Sequence, residues 1–157
     1  MTAAVKIQPQ GFCVHYPKTS WGVSFVEDAA GKFRFLLSGK DFKFEPRDRY
    51  RYPTHDDARR AAFCFLELLK RLERSRMRLS ILAEIGIIKF PQETYRTHEL
   101  WLLVDRTRYT WEVMAADGWC IRSQRWYKHP DTALVKAKAH IDRELAVAQI
   151  RDIVGWV

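Results

Sequence analysis

Tyr52-Pro53-Thr54-His55-Asp56-Asp57-Ala58 and Tyr127-Lys128-His129-Pro130-Asp131-Thr132-Ala133 read as two versions of one junction. Each passes from a tyrosine through a polar cluster into an alanine-studded stretch of helical periodicity. Upstream of each, a short alternating run opens on Trp21-Gly22-Val23 or Trp111-Glu112-Val113 and reaches a glycine turn, at Gly31 or Gly118. Repeated sheet-plus-helix units can share one core, so neither copy has to bury its sheet alone. The sequence therefore predicts an α+β fold of two tandem β-β-β-β-α repeats, residues 11–85 and 86–157. Together they would form one pseudo-dimeric antiparallel-sheet domain with packed helices.

The strands are read from period-two patterning. In the first copy Phe12, Val14 and Tyr16 alternate with Cys13 and His15, and Trp21, Val23 and Phe25 with Gly22 and Ser24. Phe33, Phe35 and Leu37 alternate with Lys32, Arg34 and Ser38, and Phe42 and Phe44 flank Lys43. Four such runs separated by turn residues predict a meander with one buried and one wet face. The second copy offers Gly86–Phe90, ended by Pro91, then the almost continuously apolar Leu100–Val104. Tyr109, Trp111 and Val113 then alternate with Arg108, Thr110 and Glu112, Ala116-Asp117-Gly118 marks a hairpin, and Trp119 and Ile121 alternate with Cys120 and Arg122. Residues 1–10 read as a loose arm.

Thr54 stands where a helix N-cap belongs, with Asp57 three residues on, a capping box with Asp in place of Glu. Ala58, Ala61, Ala62, Phe65, Leu66, Leu69 and Leu72 then form an apolar stripe opposite Arg59, Arg60, Glu67, Lys70 and Arg74. That helix is expected to run on through Met77 and Leu82 until Gly86. A second helix starts at Pro130-Asp131-Thr132, with Ala133, Ala137, Ile141 and Leu145 as its stripe. Ile153, Val154, Trp156 and Val157 form an apolar tail expected to dock on the body.

The 157 residues are 47% hydrophobic, with six Trp, which is enough for a core. No apolar run approaches the roughly 20 residues that span a bilayer. Met1–Lys6 also lacks the apolar core of a secretory signal. The chain reads as soluble and cytoplasmic, with no membrane partner. Cys13, Cys64 and Cys120 are odd in number and far apart, with no metal-ligand spacing, so they read as free thiols. No metal or cofactor is implied.

Catalytic motifs are missing: there is no GxSxG elbow, P-loop, GxGxxG or HExxH. The five histidines are isolated from one another in sequence, and His55 and His129 fall at helix entries where a polar residue serves capping. Asp56, Asp57 and Asp131 lie in first helical turns, where the macrodipole favours negative charge. Cys13 and His15 share a strand face but lack an orienting third group. The reading is a non-enzyme.

Positive charge is the better guide. The formal net charge is +8, which favours an acidic partner, nucleic acid first and a membrane surface second. With aromatic positions facing the helices, the outward sheet face would carry His15, Ser24, Arg34 and Lys43 in one copy and Arg108, Thr110, Arg122 and Gln124 in the other. Cations on adjacent strands would stand about 4.8 Å apart, a spaced row for phosphates. Lys40, Arg47, Arg49, Arg51, Arg125 and Lys128 add to it from the connections, among Tyr50, Tyr52, Trp126 and Tyr127. The nucleic-acid-binding candidates are thus Arg34, Lys43, Arg49, Arg51, Arg108, Arg122, Arg125, Tyr50 and Trp126. The competing reading makes the arginines a solvated face, Trp21, Trp111 and Trp119 core, and the two junction tyrosines staples on the helices.

The element order, the Trp21-x-Val23 and Trp111-x-Val113 echo and the two tyrosine-to-helix junctions resemble the Whirly-like single-stranded-DNA-binding regulator fold. The likeness is to the small bacterial single-chain versions, in which two copies of the motif are fused, and it covers residues 11 to about 149. Two features depart from it: a longer path from Gly31 to Tyr52 than from Gly118 to Tyr127, and a Leu100–Val104 run with no equally apolar counterpart. The resemblance implies binding of single-stranded DNA or RNA with low sequence specificity, in a transcription or DNA-maintenance accessory role. The sheet-plus-helix unit also resembles three-stranded modules that read duplex grooves. A second functional class stays open, a protein–protein adaptor or inhibitor using a sheet edge or the apolar tail.

Overall fold

The computed structural model describes residues 4–7, 13–15, 21–72 and 78–155, with side chains for 21–72 and 79–155. The elements in chain order are β1 (Ala4–Ile7), β2 (Cys13–His15), β3 (Gly22–Glu27), β4 (Phe33–Ser38), β5 (Lys43–Pro46), α1 (His55–Leu72) and α2 (Arg78–Ile85). After them come β6 (Gly86–Tyr95), β7 (His98–Asp105), β8 (Arg108–Met114), β9 (Cys120–Ser123) and α3 (Pro130–Val154). The protein is α+β with antiparallel strand pairing.

The chain packs as two units. One contains β1, Pro91–Leu102 and the described residues from Arg108 onward; the other contains the described residues of 9–90 with Leu103–Thr107. These limits differ from a division at residue 85, because β6 and β7 each contribute to both units.

In the unit built on α1, the strands lie in the order β6-β5-β4-β3-β2. Register places Val23 opposite Leu37, Phe25 opposite Phe35, Leu37 opposite Phe44 and Phe44 opposite Ile88. These side chains share one face, and they join Ala58, Ala62, Leu66 and Leu69 of α1 in a single buried cluster. Small residues at 58 and 62 let the helix approach a face crowded with phenylalanine. Phe44 and Phe65 stack with centroids 5.5 Å apart and planes 8° from parallel. Thr54 caps α1 as its sequence predicts, its Oγ1 accepting the Asp57 N–H at 3.1 Å. Gly39 is required by packing: a Cβ there would lie 2.8 Å from the Trp21 ring.

The other unit orders its strands β1-β9-β8-β7-β6. Trp111, fully buried, packs under α3 with Ala133, Ala137 and Ile141 also buried. The β8–β9 hairpin turns at Ala115–Trp119 with Gly118 at φ 87°, in line with its turn signal.

Several expectations need correction. The arm of residues 1–10 contains β1, paired antiparallel with β9 from Ala4↔Ser123 to Ile7↔Cys120. Pro91 does not end its strand; β6 continues to Tyr95, since a proline ring tolerates extended φ and removes only one donor. The stretch expected as one helix running to Gly86 is helical over α1 and again over α2 as far as Ile85, and its middle, residues 73–77, lies outside the described residues. Trp21 precedes β3 whereas Trp111 lies within β8, so the Trp-x-Val echo marks unlike positions. The backbone feature common to both units is a bridge into the tyrosine junction, Phe33↔Tyr52 in one and Tyr109↔Tyr127 in the other. The apolar tail is helical rather than docked: Ile150, Ile153 and Val154 are 56%, 77% and 50% exposed. Trp156 and Val157 lie outside the described residues.

Candidate nucleic-acid interface

Strand register decides which cations share a face. Arg34, Ser38 and Lys43 lie opposite the helix-facing side of their sheet, and Lys43 stands across from Lys89. Arg34 and Lys43 therefore occupy one face, as their alternation predicts. The face is not a free cation track, because Glu45 lies on it and is 8% exposed. Its carboxylate meets Lys89 Nζ at 3.1 Å and Arg34 Nη2 at 3.6 Å. Arg34 also pairs with Asp48 at 3.1 Å and donates to the Pro46 carbonyl at 2.7 Å.

The connection between β5 and α1 shows the same pattern. Arg47 Nη2 donates to Asp105 Oδ1 at 2.7 Å, and its guanidinium also reaches the carbonyls of Ala83 and Glu84. Arg51 donates to Asp28 Oδ2 at 2.9 Å. Asp28 is held in place by its own turn, its Oδ1 accepting the N–H groups of Ala30 and Lys32 at 2.9 and 3.0 Å. Those backbone bonds, that of Lys32 foremost, and the Arg51 bond hold its carboxyl below the ordinary value of 3.8. Arg49 is different: it donates to the Tyr50 hydroxyl at 2.9 Å and its guanidinium sits 5.0 Å from that ring centroid.

In the α3 unit, Arg122 Nε and Nη2 donate to Glu112 Oε2 at 2.9 and 2.7 Å. Glu112 is 6% exposed, so this is a buried, charge-assisted contact. Thr110, expected on the wet face, is fully buried and donates to the Arg125 carbonyl at 2.7 Å. Gln124 is exposed.

A close cation–aromatic geometry lies at the entry to α3. The exposed Arg108 guanidinium covers the Trp126 ring at 4.3 Å, and that of Arg125 lies 5.8 Å from the Tyr127 ring. The segment is pinned by the backbone pair Tyr109 N–H to Tyr127 O at 2.8 Å and Tyr127 N–H to Tyr109 O at 2.7 Å. The Arg125 N–H adds a bond to Ser123 Oγ at 3.1 Å.

Of the nine predicted site residues, two groups emerge. Arg108 is brought onto Trp126, Arg49 onto Tyr50, and Arg125 beside Trp126. Arg34, Arg51 and Arg122 are each engaged by carboxylates. Lys43 is half-buried across from Ser38 and Lys89. Sequence reasoning missed the carboxylates that absorb the cations. One was signalled, since Glu112 and Arg122 are equidistant from Asp117 at the hairpin tip and so face each other. Glu45 with Lys89, and Arg47 with Asp105, had no local signal.

His55 is held between aromatic rings, 4.7 Å from Phe25 and 5.8 Å from Phe33. His129 occupies the N-cap of α3 without a side-chain cap bond. Trp21 and Trp111 are core at 7% and 0% exposure. Cys64 is exposed on α1 and Cys120 buried, while the side chains of Cys13 and His15 lie outside the described residues. Among the described residues, no cluster of three His, Cys, Asp or Glu side chains could hold a metal ion. A shallow depression lined by Asp56, Arg59, Arg60, Phe63 and Cys64 draws all its walls from α1. Among the described residues, no helix is long and apolar enough to cross a membrane.

Compared with protein-family models, curated proteins and solved structures, the chain has no match.

Proposed function

We propose that this is a non-enzymatic nucleic-acid-binding protein that prefers single-stranded DNA or RNA with little sequence specificity, an accessory to transcription or DNA maintenance. The observation that carries the reading is Arg108 stacked at 4.3 Å on Trp126, beside Arg125. A guanidinium on an indole offers a phosphate its charge and a base its ring, and each stacked base contributes about 1–3 kcal/mol. The net charge of +8 adds sequence-independent attraction.

Kinship with the Whirly-like fold, as two β-β-β-β-α copies, belongs to the same proposal. Its support is the order β2 to β5 then α1, and β6 to β9 then α3, with a tyrosine bridge before each helix. The strand β1 is an addition to that plan.

Fluorescence anisotropy with labelled single-stranded DNA, single-stranded RNA and duplex at two ionic strengths tests the function. Single strands should bind most tightly, and affinity should fall with added salt. Absence of binding at low salt would dispose of the reading.

The adaptor reading has one observation of its own, the exposed Ile150, Ile153 and Val154 at the end of α3. A nuclease-resistant protein complex, lost on changing these residues to Ser, together with no oligonucleotide binding, would favour it.

A further inference from the structure

We infer that the strand is gripped at the junction between β8 and α3, and that Arg34, Arg47 and Arg51 of the β4–α1 region are already neutralised from within. This rests on the nucleic-acid reading above and narrows it to a place and a size.

In the unit built on α1, four of the basic side chains nearest the tyrosine junction and on the outward sheet face touch a carboxylate. Arg34 meets Asp48 and Glu45, Arg47 meets Asp105, Arg51 meets Asp28, and Lys89 meets Glu45. An incoming phosphate would have to displace an anion that is already in contact and, for Glu45 and Asp105, already desolvated at 8% and 6% exposure. The exchange gains little, because one charge-assisted contact replaces another.

The segment before α3 is built differently. Arg125 and Lys128 are exposed, and neither forms an ion pair among the described residues. They flank Trp126, which is half-buried under the Arg108 guanidinium. The backbone between them is held at both ends, by the Tyr109–Tyr127 pair and by the bonds of Thr110 and Ser123 to Arg125. A pinned segment loses little conformational entropy on binding. The partner that fits is a short stretch of single strand, with two or three phosphates on Arg108, Arg125 and Lys128 and one base stacked on the Arg108 guanidinium that covers Trp126.

The count of cations makes this measurable. Three neutralised phosphates give a slope of log affinity against log salt of about −2 for a single strand. Engagement of all seven basic candidates, Arg34, Lys43, Arg49, Arg51, Arg108, Arg122 and Arg125, would give about −5.

The experiment compares two variants of equal charge change, Arg125→Gln with Lys128→Gln and Arg34→Gln with Arg51→Gln, against the parent protein, using labelled oligothymidylate over a salt series. The first pair should cost about tenfold or more in affinity and flatten the slope by about 1.4. The second should change affinity by less than about threefold and leave the slope alone. Thermal unfolding of each variant separates lost binding from lost folding, and Trp126→Phe, which keeps a stacking ring, should retain most of the affinity. Equal losses from both pairs, or a parent slope near −5, overturn the inference while leaving the nucleic-acid reading in place. A parent protein that binds nothing at low salt removes both, and the two failures are distinguishable.

Discussion

The imidazole of His140 packs on the indole of Trp111 with ring centroids 4.9 Å apart and planes tilted by 37°. Both His140 Nε2 and Trp111 Nε1 are buried without a hydrogen-bond partner among the described residues. Burial, assisted by the charges of Arg143 and His98 and opposed by that of Glu144, holds the imidazole below its ordinary value of 6.5.

Stability should therefore depend on pH through this residue. A base whose folded pKa is lowered binds fewer protons folded than unfolded in the window below 6.5. Its contribution is complete above that value and is lost as pH falls towards the lowered one. The urea midpoint should decline between about pH 7 and about pH 5, and His140→Leu should flatten the decline. Identical pH profiles for both proteins would clear His140 of the effect.

The Glu112–Arg122 contact should show the asymmetry of buried ion pairs. Arg122→Met leaves a carboxylate at 6% exposure without its bidentate donor. The expected loss is about 3–5 kcal/mol in chemical denaturation. Changing Glu112 to Leu as well should recover most of it, since the buried carboxylate is then removed together with its guanidinium. A single variant as stable as the parent would show that the pair contributes nothing to folding.

Gly39 should not tolerate a methyl group. The added Cβ would meet Trp21 ring carbons at 2.8 Å, and Trp21 is itself wedged edge-on against Phe42 with centroids 5.2 Å apart. Gly39→Ala should cost about 1–3 kcal/mol as the indole is displaced, read as a lowered Tm. A Tm equal to that of the parent would mean the indole can shift freely.

The two long helices differ at their starts, and the difference can be exchanged. Thr54→Ala removes the bond to the Asp57 N–H and should cost about 1 kcal/mol. His129 has the extended backbone of an N-cap, φ −125° and ψ 138°, but makes no side-chain cap bond. His129→Ser should stabilise the protein by about 0.5–1 kcal/mol. Paired thermal unfolding curves that move in the same direction would contradict this account of the two caps.

What the sequence determined by itself is local. Alternation placed Phe33, Phe35 and Leu37 on one face and Arg34 on the other. Ala116-Asp117-Gly118 marked the hairpin, and Thr54 with the Ala58–Leu69 stripe marked α1; all of these stand in the structure. Such features follow from bonds and packing between residues a few positions apart, so the pattern of side chains carries them. Tertiary structure decided the rest. Ala4–Ile7 becomes a strand because β9 lies beside it, more than a hundred residues later in the chain. Glu45 meets Lys89, and Arg47 meets Asp105, through strand register and chain reversal rather than spacing. Whether an arginine faces solvent, an aromatic ring or a carboxylate depends on which distant strand folds against it. Periodicity assigns a side chain to a face and is silent about its neighbours across the sheet, which is why the candidate site could be named residue by residue but its free charge could not.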